Sequence, residues 1–384
     1  MFRFRLIIIS LLSINVAKGQ LRNYIFREPY LFNLDSTELE LHQIRTGTER
    51  FGAEFNTYLR NHEYSESHNP GYSLLGEQIK LGFENNLSGQ DKLSLGVISN
   101  FPFGGNYSDI KTWPVIRYNR IGRNYIFNVG SIQSHVNHNL IEPLYNYEAA
   151  LTRPVEYGLQ YFFDNGKFRW ESWLDWRQFS RTEISQQEII SYGNSGSVKW
   201  FEAINSGVII SSPISILVLH KGGENLKIGK PIVNQLNGNL GLRILIDQKL
   251  QIEAHALQSY DASPKLVQAF KDGLGIFSSI QWYEKNHTLS ISHYYSQDYF
   301  APLGSVLYSN YNPELPYNIS RTRNLIHFRY LYGKALVKGK AYLETRLEPI
   351  YHISNNKWAW SASFFLKVKL GNGFLLDPST YFYR

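Results

Sequence analysis

The sequence predicts an all-β fold, a transmembrane antiparallel up-and-down β-barrel of about 16 strands (range 14–18), and three observations carry that prediction. Apolar and polar residues alternate with a period of two over most of the chain. Short and long connections between the alternating stretches also alternate. No apolar run after the first 20 residues is long enough for a membrane helix, and no helical layer is available to cover a soluble sheet. Composition agrees, with 43% hydrophobic and 15% aromatic residues against 18% charged, which excludes a disordered chain. The absence of cysteine among the 384 residues excludes a disulfide scaffold, a thiolate zinc site and a cysteine nucleophile.

Residues 1–19 read as a secretory signal peptide: Arg3 and Arg5 in a positive head, an apolar stretch from Leu6 to Val16, and Ala17 and Gly19 as small residues before a cut, so that the mature chain starts at Gln20. Removing Arg3, Arg5 and Lys18 takes the net charge from +7 to +4, an ordinary value that calls for no nucleic-acid partner. Residues 20–49 do not alternate cleanly and carry Glu38, Glu40 and His42. They are expected to form a periplasmic extension or a plug-like segment, ahead of a barrel over 50–370 and a tail or closing segment over 371–384.

Within the barrel the two faces separate in each stretch. In 78–84, Ile79, Leu81 and Phe83 oppose Gln78, Lys80 and Glu84. Val155, Tyr157, Leu159, Tyr161 and Phe163 oppose Glu156 and Gln160, and Asp164-Asn165-Gly166-Lys167 then turns the chain. The return stretch sets Trp170, Leu174 and Trp176 against Arg169, Glu171, Asp175 and Arg177. Leu240, Leu242 and Ile244 oppose Asn237, Asn239 and Arg243, and Trp358, Trp360, Phe364, Leu366 and Leu370 oppose Ser361, Ser363, Lys367 and Lys369. One face suits hydrocarbon and the other water.

Short turns are expected near 88–91, 121–123, 165–166, 202–205, 247–249, 284–286 and 333–337, with longer connections at 62–75, 101–112, 135–154, 180–190, 220–235, 261–272 and 300–322 and a shorter one near 353–356. Tight turns at one rim and larger loops at the other are the asymmetry of outer-membrane barrels. On these features the chain resembles Gram-negative outer-membrane β-barrel proteins, and its Tyr- and Asn-rich style with a mature end at Gln20 is similar to barrels of Bacteroidetes-type bacteria. The resemblance covers roughly residues 51–370 and implies a place in the cell outer membrane, contact with its lipid, and insertion by the barrel-assembly machinery. The end Tyr381-Phe382-Tyr383-Arg384 departs from the usual terminal aromatic strand, so the last strand is either 357–370 or includes the terminal aromatics.

Three groups of residues are candidates for chemistry. His135, His138 and Glu142 lie in a polar loop, where paired histidines beside a carboxylate suit a metal or ligand. Tyr299, Tyr308 and Tyr311 lie in an aromatic loop suited to a sugar ring. His327, Arg329, Lys338, Lys340, Arg346, Lys367 and Lys369 should form a basic wall of the lumen, facing Glu344 and Glu348. The pairs Ser134-His135 and Ser292-His293 are adjacent in sequence and so point to opposite faces of a strand, which argues against the same-strand Ser/His spacing of outer-membrane lipid hydrolases. The expectation is a porin-like channel for small hydrophilic, preferentially anionic solutes, with no cofactor, no metal and no enzyme activity. The alternative is a non-transporting scaffold whose loops bind a partner protein or surface polysaccharide.

Overall fold

The computed structural model describes residues 49–66, 69–132, 138–203, 206–222, 229–337 and 340–371. The signal segment, residues 20–48, His135, Lys338 and the tail from 372 lie outside the described residues. Sixteen strands follow one another: β1 (Glu49–Glu66), β2 (Asn69–Asn86), β3 (Asp91–Pro102), β4 (Lys111–Ile121), β5 (Tyr125–Ile132), β6 (Glu156–Asp164), β7 (Phe168–Gln178) and β8 (Glu188–Ala203) make the first half. The second half is β9 (Val208–Gly222), β10 (Val233–Ile246), β11 (Leu250–Asp261), β12 (Asp272–Glu284), β13 (His287–Gln297), β14 (Thr322–Val337), β15 (Ala341–His352) and β16 (Lys357–Gly371). Each strand pairs antiparallel with its sequence neighbours, and β1 pairs with β16 from Gly52↔Gly371 to Glu63↔Trp360, closing the barrel. Closure leaves no sheet edge facing lipid, where an unpaired backbone group would cost several kcal/mol.

Turn chemistry sets the register. Asp247 and Gln248 both take left-handed φ (50° and 55°), the geometry a tight hairpin needs, and Ile246↔Leu250 pair directly after it. At the β6–β7 turn the Gly166 amide donates to Asp164 Oδ1 (2.7 Å) and the Phe168 amide to Asn165 Oδ1 (2.7 Å), so short polar side chains hold the reversal. Two connections differ from expectation. Residues 333–337 continue β14, because the β-sheet pairing runs on through Ala335↔Tyr342 and, across an irregularity at Leu336, to Val337↔Ala341, and the Lys340 amide then closes the turn on the Val337 carbonyl. Residues 62–75 are largely strand, with β1 and β2 paired out to Glu66↔Asn69 across an irregularity between His62 and Ser65.

The predicted faces hold. Leu81, Leu159, Leu242 and Ile291 stand outward, between 40% and 53% exposed, while Gln78, Gln160, Arg243 and Ser292 point inward and are buried. The interior is less watery than the alternation alone suggests. Two extracellular loops, 138–155 and 298–321, fold into the barrel mouth and form a core of Leu140, Ile141, Leu144, Tyr145, Tyr299, Leu307 and Tyr308 against Ile132, Trp173, Phe277 and Leu325 of the wall. A single turn of helix, α1 (Ala149–Thr152), ends the first of these loops.

Candidate functional site

The two inserted loops dock on each other and on the wall through charges. The Asn146 amide donates to the Leu303 carbonyl (2.7 Å), and the Ser305 amide to the Glu142 carbonyl (3.1 Å). Glu142 pairs with Arg329, whose guanidinium also meets Glu348 (3.2 Å) and donates to the Tyr308 hydroxyl (3.1 Å). Glu148 accepts from Arg60 Nε (2.6 Å), lies 2.6 Å from the His62 ring and accepts from the Tyr72 hydroxyl, while Arg60 Nη1 reaches Glu348 (2.5 Å). His138 sits between Glu156 (2.7 Å) and Glu171 and stacks on Trp173 at 3.8 Å. Burial alone would favour its neutral ring, but Glu171 and Glu156 hold the proton and push its pKa up to about 10.

These contacts correct part of the sequence reading. His138, Tyr299 and Tyr308 are fully buried and Tyr311 is nearly so, each packed into the loop core, so they are not open ligand contacts. Glu142 is committed to Arg329. On the basic wall, His327, Arg329, Arg346, Lys367 and Lys369 do face inward and are buried. Lys340 does not join them: it stands exposed in the β14–β15 turn, because β14 runs on to Val337 and carries the reversal to the rim. The wall is also closely matched by acids, among them Glu54, which the sequence did not bring near. Glu54 of β1 lies against Lys80 (2.8 Å), Lys367 (3.3 Å) and Lys369 (3.9 Å), and Arg346 pairs with Glu344 (2.5 Å).

A second polar group stands on the opposite side of the wall, facing lipid. On β13 the outward residues are Leu289, Ile291, His293 and Tyr295, a hydrocarbon-facing row broken by one imidazole. His293 pairs directly with Ser278 of β12, which is also outward and half-buried between Ile276 and Ile280. Directly opposed residues on one face have Cβ atoms about 4.5–5.5 Å apart, which brings the hydroxyl within reach of the ring. On the other flank, His293 Nε2 and Asn324 Oδ1 of β14 are 2.9 Å apart. With the amide oxygen as acceptor, Nε2 carries the proton and Nδ1 is the basic nitrogen. The three side chains therefore form a row Ser278, His293, Asn324 across three neighbouring strands.

Their depth is set by aromatic neighbours. Tyr295 lies one pleat above His293, and Trp282 lies two pleats below Ser278. Interfacial Tyr and Trp mark the two headgroup levels of such barrels, so the row belongs to the outer-leaflet half of the apolar band. Beside it runs a groove of about 370 Å³, lined by Leu242, Ile244, Ile252, Ala254, Ile280 and Ile291 together with Ser278 and His293. An ionisable residue facing lipid is costly, and its retention in such a place is by default functional.

The structure is similar to outer-membrane barrels. It superposes on OprD of Pseudomonas aeruginosa with a TM-score of 0.53 at 8% identity, covering 85% of this chain and 96% of that one. A loop L8 deletion mutant of OmpT from Vibrio cholerae gives 0.50 at 8% identity, covering 85% and 100%, and OccD3 (OpdP) of Pseudomonas aeruginosa gives 0.50 at 6%, covering 85% and 92%. These likenesses establish the fold. No curated protein matches the sequence. A family model described as lipid A 3'-O-deacylase-type matches residues 41–376. That match overturns the expectation of a barrel without enzyme activity, since the family is described by a hydrolytic reaction.

Proposed function

The chain belongs to the lipid A 3'-O-deacylase-type family, and on that premise we propose that it hydrolyses an ester-linked acyl chain of an outer-leaflet glycolipid at Ser278, with His293 as general base and Asn324 as its orienting partner. The observation that carries this reading is an imidazole on the lipid-facing wall, with a serine directly across the strand pair and an amide oxygen 2.9 Å from its other side. Ser278 Oγ bonds to the ester carbonyl carbon as its proton passes to His293 Nδ1. The adduct collapses, the bond to the sugar oxygen breaks, and that oxygen takes the proton from the imidazolium. Water then attacks the acyl-serine with the same ring as base; the fatty acid leaves and Ser278 recovers its proton. Asn324 fixes the ring tautomer throughout, a role that asparagine fills in other nucleophile–histidine sites.

The test is fatty-acid release from purified lipid A by the detergent-solubilised protein. Ser278→Ala and His293→Ala should each lower the rate at least about 100-fold, with a smaller loss for Asn324→Ala. A Ser278→Ala protein that keeps the parent rate refutes the proposal. A second reading, a porin-like route for small hydrophilic and preferentially anionic solutes, is favoured by the lysines gathered on the inner wall around Glu54. It uses the other face of the barrel and is compatible with the first.

A further inference from the structure

The groove beside Ser278 has a definite shape. Ala254 of β11 pairs with Leu242 of β10 on one side and with Ser278 of β12 on the other, so a methyl side chain stands between a leucine and the serine. One pleat toward the periplasmic rim, Ile252 pairs with Ile244 and with Ile280, and Ile280 with Ile291. Small at the level of the serine and branched below it, the wall makes a depression whose upper end is the hydroxyl and whose lower part is wholly aliphatic. It opens outward, to hydrocarbon.

We propose that this depression is the seat of the acyl chain that is cleaved, that it takes one saturated chain, and that Ala254 sets how long a chain is accepted. The inference rests on the hydrolase reading and adds substrate selection to it. An aliphatic chain is the occupant because the groove lies on the lipid-facing side of a membrane barrel and shares Ser278 and His293 with the reacting row; of its other lining residues, Glu253 and Ser279 are buried on the inward face of their strands and the rest are aliphatic. An apolar cavity of about 150 Å³ holds a benzene ring, and about 370 Å³ is more than twice that, room for a long acyl chain and not only a short one. The ester then lies at Ser278 with the sugar toward Tyr295 and the headgroup level, and the methyl end points toward the bilayer centre. Ala254 stands beside Ser278 at the same level, so a larger side chain there narrows the upper end of the groove, which a long chain fills and a short one need not.

The experiment compares p-nitrophenyl esters of 4, 8, 12 and 16 carbons in mixed micelles, using the full-length protein and the variants Ala254→Phe and Ser278→Ala. It is paired with photolabelling by a phosphatidylethanolamine whose 12-carbon chain ends in a diazirine. The parent should prefer the 12-carbon ester, Ala254→Phe should lower the ratio of 12-carbon to 4-carbon rates at least about tenfold with the 4-carbon rate kept, and Ser278→Ala should lose all rates. Label should concentrate on Ile244, Ile252 and Ile280 over other outward residues in both the parent and Ser278→Ala, and leave these positions in Ala254→Phe. If Ser278→Ala is inactive yet Ala254→Phe changes neither the chain-length ratio nor the label, the groove assignment is overturned and the nucleophile stands. If Ser278→Ala keeps the parent rates, the hydrolase reading falls and the assignment with it. Uniform labelling around the barrel in the parent overturns the groove directly.

Discussion

Replacing Glu148 by Gln removes the charge that ties the first inserted loop to the barrel wall. In the parent, Arg60 Nε donates to Glu148 at 2.6 Å, with His62 at the same distance and the Tyr72 hydroxyl on the second oxygen. Burial alone would push the Glu148 carboxyl up, but Arg60 and then His62 and Tyr72 outweigh it and bring its pKa from 4.5 down to about 2. At 1.36 kcal/mol per pH unit, that difference corresponds to about 3 kcal/mol favouring the docked loop, close to the 3–5 kcal/mol typical of breaking a buried pair. Because the pKa is depressed on docking, the contribution is fully present above pH 4.5 and is lost as pH falls through about 2. Amide exchange read by mass spectrometry at pH 7 is the assay. Amides of α1 should exchange about 100-fold faster in Glu148→Gln, while the β1–β16 seam, where Arg60 keeps Glu348, stays as protected as in the parent. Exchange at α1 within about threefold of the parent would show that packing, and not this charge, holds the loop.

Two further outcomes follow from the faces of the wall. Arg at Leu81 or Leu242, both turned to lipid, should cost about 2–4 kcal/mol and reduce insertion into vesicles, measured by heat-modifiable migration, whereas Arg at Asn239 on the inner side should insert normally; equal insertion would mean the faces are misassigned. If the lumen conducts, Lys367→Glu with Lys369→Glu should shift the reversal potential in a salt gradient toward cations, since both ammonium groups approach the single carboxylate of Glu54. An unchanged reversal potential removes the inner lysines from selectivity.

Strand number, face assignment and most turns were legible in the sequence because the period-two code is local: each residue declares its side by its own chemistry. What the code omits is which strand residues lie opposite each other. The β12–β13 turn was expected at 284–286, and it forms at Lys285 and Asn286, so positions equidistant from it are partners and Ser278 faces His293. Searching only for serine beside histidine on one strand found Ser292, which points the other way, and passed over Ser278, one strand back. The signal was present in the spacing from the turn. The mispredictions in the lumen have a different cause. His138, Tyr299 and Tyr308 sit in loops, and polar or aromatic loop residues read alike whether they wait for a ligand or fill a core. Pairing of Glu54 with Lys367 depends on barrel closure, a contact across nearly the whole chain that no local pattern encodes.

The seam between β1 and β16 also governs when the molecule can form. Gly52 meets Gly371, so the first strand has no partner on one side until almost the last described residue is in place. The entropic cost of joining such distant segments grows only with the logarithm of their separation, so it is the delay, more than the free energy, that distinguishes this barrel from a soluble meander. Throughout that interval β1 offers an open row of backbone donors and acceptors, the kind of edge that templates wrong pairings. Biogenesis must therefore shelter one particular strand for the whole of synthesis, and slowing the arrival of β16 should lengthen the life of an aggregation-prone species without changing the stability of the finished barrel.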